Sequence, residues 1–279
     1  MRPQEQDVSR GELADPAVLV RNSGLSAITS FVYKTLVIVE LEARKLRHDP
    51  TELITRVVQP ALWLLVFGQV MMNIRVVPGN YLAFMAPGIL AQSVLFIAIF
   101  SGITIIWERD LGIVHKFLAS PTPRTALVLG KALAAGVRAL SQAIIIYVLA
   151  VLLSVPVSWN PVNLIGTLVV VILGAALFST FSLIIACLVR TRERFMGIGQ
   201  LMTMPLFFAS NAIYPVSMMP DWLQFIARIN PLSYQVDLLR ALMLGEASAS
   251  GVVLDFGVLL ATTIILIFIG ARLYPRAAT

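Results

Sequence analysis

From residue 57 to residue 271 the chain alternates long apolar runs with short charged or proline-broken segments. Six runs stand out: Val57–Asn73, Leu82–Ile106, Ala132–Val155, Leu164–Val189, Phe195–Ile213 and Val252–Ala271. Each approaches or exceeds the ~20 residues that carry a helix across a hydrocarbon core roughly 30 Å thick. The pattern predicts an all-α polytopic membrane protein with six transmembrane helices, a six-span domain over residues 57–271.

Three further segments show a helical period without the length to span. Residues 28–48 repeat apolar positions at three- and four-residue spacing (Ile28, Phe31, Val32, Thr35, Leu36, Val39, Ala43, Leu46), with Lys34, Glu40, Arg44, Lys45 and Arg47 mostly elsewhere. This predicts an amphipathic helix lying in the anionic cytoplasmic interface. The alternative, a helix of a soluble N-terminal domain, has too few residues around it to build a core. Residues 1–27 are polar, carry both signs of charge and predict a mobile cytoplasmic tail.

The second segment, Trp107–Lys131, joins the second and third runs. There Asp110 is expected to cap a short helix with Leu111, Val114 and Leu118 on one face, stopped by Pro121 and Pro123. A helix across the ends of two spans, about residues 108–121, is a surface that a cytoplasmic partner can push. The third segment, about residues 221–244, holds two short patterns separated by Asn230-Pro231. Asp221 and Ser233 are the expected caps and Gly245 the stop. At nine to twelve residues each they are too short to span and read as outer interfacial or re-entrant helices.

Composition agrees with the pattern. The chain is 58% hydrophobic and 13% charged, against roughly 25% charged in soluble domains. Its net charge of +6 does not indicate nucleic acid, because the basic residues sit in loops and not in an aromatic-laced patch. They divide 18 to 3 between the two sides of a six-span topology. The positive-inside rule then places both termini, including the 272–279 tail, in the cytoplasm. The single cysteine, Cys187, excludes an intramolecular disulfide and a zinc cluster. The first ~50 residues show no apolar core of a cleavable signal peptide.

Catalytic chemistry is sparse. His48 and His115 are loop residues, no HExxH or GxSxG motif occurs, and Gly130-Lys131 lacks the glycine of a P-loop, Thr125 standing in its place. The spans do hold uncharged polar and aromatic residues: Gln69, Gln92, Ser93 and Phe96, then Gln200, Met204, Phe207, Phe208, Asn211 and Tyr214. Two readings stand: helix-to-helix bonding, or the lining of a path for an amphipathic substrate. Glu108 likewise either snorkels at a helix end or pairs with Arg109, Arg124 or an N-terminal arginine.

Three motifs in order carry a resemblance. An amphipathic helix ends in Arg44-Lys45-Leu46-Arg47 before the first span. Glu108-Arg109-Asp110-Leu111-Gly112 is followed by Leu118–Arg124 and Leu129-Gly130-Lys131. Asn211–Pro220 leads to Trp222–Phe225 and Asn230–Tyr234. Together they resemble the type-2 ABC exporter permeases, in the branch of daunorubicin-resistance and nodulation-export permeases. The resemblance covers residue 28 to the C-terminus.

It implies that Glu108, Arg109, Asp110, Gly112, Val114, Lys116, Leu118, Pro121 and Arg124 belong to a coupling helix that docks on an ATP-hydrolysing subunit. The interface helix, with Phe31, Leu36, Arg44, Lys45 and Arg47, would flank that contact. ATP and Mg would bind the partner, with no cofactor on this chain. Two permeases, identical or paralogous, and two ATPases would form the complex in a prokaryotic plasma membrane. The implied cargo is an amphipathic or hydrophobic compound, the alternatives being a lipid-linked polysaccharide or, more distantly, a non-transport scaffold or sensor.

Overall fold

A computed structural model describes residues 32, 33, 35–37, 40, 57–74, 80–119, 122–189, 191–245 and 249–278. Among them all regular structure is helical. The elements are α1 (Val57–Ile74), α2 (Tyr81–Asp110), α3 (Ile113–Ala119), α4 (Arg124–Leu152), α5 (Pro161–Leu188), α6 (Arg192–Phe208), α7 (Asp221–Ile229), α8 (Pro231–Leu244) and α9 (Ala249–Leu273). A 3-10 turn, Tyr274–Ala278, closes the described chain. The described residues between 32 and 40 are helical, with Val32, Tyr33, Leu36 and Val37 exposed.

Five helices, α1, α2, α4, α5 and α9, are long and apolar enough to cross a membrane. The remaining apolar run, Phe195–Ile213, forms the 17-residue α6, about 25 Å long, and then turns from Ala209. Side-chain chemistry sets that end. Ser210 Oγ donates to Phe207 O, and Asn230 Nδ2 donates to Leu206 O (2.7 Å) and Ala209 O (3.1 Å). These bonds satisfy carbonyls that a helix terminus leaves open.

α5 is the axis of the bundle, packed on α2, α4, α8 and α9. Small residues bring its neighbours close. A Cβ at Gly174 would strike the Gln235 side chain of α8, and one at Gly88 of α2 would strike the backbone of Ala212. The apolar windows of α2, α4 and α5 are 67%, 50% and 61% buried, those of α1 and α9 only 17% and 11%. α1 and α9 therefore stand at the periphery with wide apolar faces open to lipid or to another protein.

Asn residues start several helices. Asn80 Oδ1 accepts from Leu82 N, Asn160 Oδ1 from Val162 N and Asn230 Oδ1 from Leu232 N, all at 3.0 Å. This corrects the expected cap of α8: Pro231 takes the first helical position, which moves the cap from Ser233 back to Asn230. Asp221 is the first residue of α7, makes no capping bond and follows Pro220. Gly245 ends α8 with φ +75°, as expected.

Candidate functional site

One end of the bundle gathers Ile105, Ile106, Val114, Leu127, Val128, Leu183, Ala186, Phe195, Ala271 and Tyr274 into a single apolar cluster. These residues come from the end of α2, α3, the start of α4, the end of α5, the start of α6 and the end of α9. The ends of three spans and the starts of two helices thus share one end of the bundle, near which Arg109, Lys116, Lys131 and Arg192 lie among the described residues. Tyr274, in the segment expected as a short cytoplasmic tail, is fully buried in this cluster.

α2 continues to Asp110, so Asp110 ends one helix and does not cap the next. The chain turns through Leu111 and Gly112, whose φ of +69° is a left-handed conformation that glycine adopts without cost. Gly112 N donates to Arg109 O and Leu111 N to Trp107 O, both at 2.9 Å, closing the last turn of α2. α3 then runs only from Ile113 to Ala119.

Glu108 is buried and its partner is Lys131 of α4. Lys131 Nζ donates to both carboxylate oxygens at 2.7 and 2.6 Å, beneath the Phe117 ring at 5.8 Å. Among the described residues neither the snorkelling reading nor a pair with Arg109 or Arg124 describes it, and the N-terminal arginines expected as a further partner lie outside them. Arg109 reaches the end of α5, donating to Val189 O at 3.1 Å, a cation at a helix C-terminus. Asp110 accepts from Arg192 at 2.7 Å, and the Arg192 guanidinium lies 5.5 Å from the Trp107 ring. The α2–α3 elbow is therefore fastened to α4, α5 and α6 by separate polar contacts.

This elbow has an inner and an outer side. Val114 is fully buried and Leu118 half-buried against the chain's own cluster. Trp107 and Leu111 (49% and 71% exposed), His115, Lys116, Ala119 and Arg124 face outward. Leu111 and Val114 were expected on one face; the turn at Gly112 separates them. Pro121, like Phe31, Arg44, Lys45 and Arg47, lies outside the described residues.

The ten polar and aromatic residues of the spans fall in different environments. Phe207 is buried beside Trp63 of α1 (ring centroids 5.8 Å) and Phe208 (5.3 Å). Gln200, Met204 and Phe208 lie on the exposed side of α6, and Gln69 is half-buried. Gln92 is buried in α2, and Ser93 Oγ donates to Ile89 O of its own helix. Phe96 stacks on Phe100 at 6.2 Å. Tyr214 donates to Phe208 O at 2.6 Å.

Asn211 donates to Asp237, which also pairs with Arg240 at 3.2 Å. Arg240 in turn donates to Asn211 O (2.8 Å) and Phe84 O (3.3 Å) and lies 4.0 Å from the Phe84 ring. This network ties α8, the turn after α6 and the start of α2 together. Sequence reasoning missed Lys131, Arg138, Arg192 and the Asp237–Arg240 pair. Lys131 and Arg138 are seven apart, on one face of α4, which was a usable signal.

Five helices long and apolar enough to span, around a packed axis with a charged elbow at one end, define a polytopic membrane protein. The profile of ABC-2 type transporters matches residues 33–244. A ycf38 transport permease of Cyanophora paradoxa is 30% identical over 226 residues, 78% of this chain and 77% of that protein. The daunorubicin resistance ABC transporter permease protein DrrB1 of Streptomyces coeruleorubidus is 26% identical over 202 residues, 72% and 71% of the two chains. Nodulation protein J of Rhizobium meliloti is 29% identical over 208 residues, 74% and 78%. The chain belongs to the ABC-2 type transporter family. It is a membrane permease subunit without an ATPase site of its own, and ATP hydrolysis resides on a separate ABC subunit.

Proposed function

We propose that this chain moves an amphipathic or hydrophobic compound out of a prokaryotic cell across the plasma membrane, with both termini cytoplasmic. In this reading α6 is a sixth, short span, and α7 and α8 are outer re-entrant helices. The helix at residues 28–48 lies in the inner interface beside the elbow. The working unit pairs two permeases, identical or paralogous, with two nucleotide-binding subunits that hold ATP and Mg.

One observation carries the reading: the elbow is rigidly held on its inner side yet leaves Trp107, Leu111 and Lys116 outward. A lever must be stiff where it meets the spans and open where it is pushed. The cargo class is favoured by the aromatic residues along α1, α2 and α6 and by the drug-resistance relative. The test is reconstitution of the chain with the nucleotide-binding subunit that co-purifies with it. Stimulated ATP turnover and outward movement of a hydrophobic dye are expected of the complex alone. Full turnover by the ATPase subunit without this chain, and no dye movement with it, would contradict the reading.

A further inference from the structure

The start of α6 carries a basic side chain that the elbow does not use. Arg192 and Arg194 are two positions apart, so they point to different sides of the helix. Arg192 turns to Asp110 and Trp107 of the elbow. Arg194 is exposed, and among the described residues its guanidinium has no partner. It lines an open recess of about 510 Å³ together with Leu188 and Val189, where α5 ends, and Gly197 and Ile198 of α6.

A glycine keeps this recess open. A Cβ at Gly197 would meet no atom within 4 Å, so no close packing within the chain requires glycine there, and glycine inside a helix is destabilising relative to alanine. What the missing side chain leaves is room beside α6. The walls of that room are apolar: Leu188 is 58% exposed, and Val189 and Ile198 are half-buried. Arg194 stands one turn nearer the start of the helix and is the one charge on the lining; Glu193 is not part of it. A guanidinium offers a planar fork of donors that matches a phosphate. Free phosphate would use that cation alone. A phospholipid uses both the cation and the apolar walls, at the ends of helices that stand in a bilayer.

We infer that this recess binds an anionic phospholipid of the leaflet at the elbow end. Its headgroup phosphate sits on Arg194, and an acyl chain lies along Leu188, Val189 and Ile198 in the space that Gly197 leaves. The Val189 carbonyl accepts from Arg109 of the elbow at 3.1 Å, so the lipid touches the residue by which the elbow grips the end of α5. The inference goes beyond the exporter reading and rests on it only in calling that leaflet the inner one, where anionic lipids attract basic segments.

The test needs neither the ATPase subunit nor a cargo. The full chain is assembled in nanodiscs of phosphatidylcholine with a minor fraction of phosphatidylglycerol and transferred to a mild detergent. The phospholipid that stays with it is then counted by mass spectrometry. Retained lipid is expected to be enriched at least about fivefold in phosphatidylglycerol over the nanodisc, the scale of one basic residue at an anionic surface. Arg194→Gln should abolish the enrichment and Arg194→Lys should keep part of it. Gly197→Leu should fill the groove and lose retained phospholipid of both kinds, while the variant melts no lower than the unaltered chain, which separates a blocked site from a failed fold. No enrichment in the unaltered chain, or undiminished enrichment in Arg194→Gln or in Gly197→Leu, overturns the site. Millimolar inorganic phosphate should leave the enrichment intact; its loss there would assign Arg194 to a free anion and overturn the lipid. If the enrichment holds but the reconstituted complex shows no ATP-driven movement, the exporter reading fails and the lipid site stands.

Discussion

Breaking the Glu108–Lys131 pair is the sharpest probe of how the elbow is held. The two side chains are 9% and 13% exposed and 2.6 Å apart at closest approach. At that distance and an effective dielectric constant near 20, two unit charges attract by about 6 kcal/mol. Desolvation of each ion opposes this by several kcal/mol, so the pair contributes far less than its Coulomb attraction. Removing one member is different, because the survivor stays buried without compensation. Glu108→Leu or Lys131→Met alone is expected to cost about 3–5 kcal/mol. The double variant Glu108→Leu/Lys131→Met should fall within about 1–2 kcal/mol of the unaltered chain, since a fitted apolar pair replaces a buried ionic one at little cost. The assay is a double-mutant cycle on unfolding in mixed micelles, with ATPase stimulation of the reconstituted complex followed in parallel. If each single variant costs less than about 1 kcal/mol, the pair behaves as an exposed one. The account of a fixed elbow is then wrong.

Other expectations follow from the same geometry. Val114→Asp places a charge in the chain's own apolar cluster, and should lower stability by about 3–5 kcal/mol and reduce membrane yield before any effect on docking is seen; thermal unfolding of the purified variant reads this. Asn230→Ala removes the cap of α8 and two bonds to the end of α6, and should cost about 1–3 kcal/mol while Ser233→Ala costs less; unfolding midpoints compare them. With Cys187→Ala as background, a cysteine at Ala119 should react with a membrane-impermeant maleimide only in inside-out vesicles and one at Trp222 only in right-side-out cells. Labelling of both from the same side would overturn the topology.

Five of the six expected spans were legible because an apolar run has one cheap place to be, and the end of α8 was legible because Gly245 marks it chemically. Residue-level detail at the elbow was not legible, for two reasons. The third span was started at Ala132, since Arg124 and Lys131 look like loop residues; in the structure they begin a helix whose Lys131 is neutralised by Glu108, twenty-three positions away. Hydropathy does not see a partner that distant. Gly112 then broke a period that looked continuous from Leu111 to Leu118, sending Leu111 outward and Val114 inward. The shortness of α6 arose similarly, from Asn230 capturing its last carbonyls.

The central claim is that the outward side of the elbow transmits ATP hydrolysis to the spans, and Leu111 tests it most directly. Leu111 is 71% exposed, so Leu111→Asp should leave the fold within about 0.5 kcal/mol of the unaltered chain. At a docked interface it should remove about 1.5–3 kcal/mol of apolar burial and strand a charge there. Lys116→Ala, at an exposed charge, should change little by comparison. The measurement is ATP turnover and dye movement in vesicles holding equal amounts of folded variant and its nucleotide-binding subunit. The account predicts that Leu111→Asp inserts, melts normally and loses at least about tenfold of both activities. Full activity in Leu111→Asp would mean that the elbow is a plain connector and that force enters the spans elsewhere.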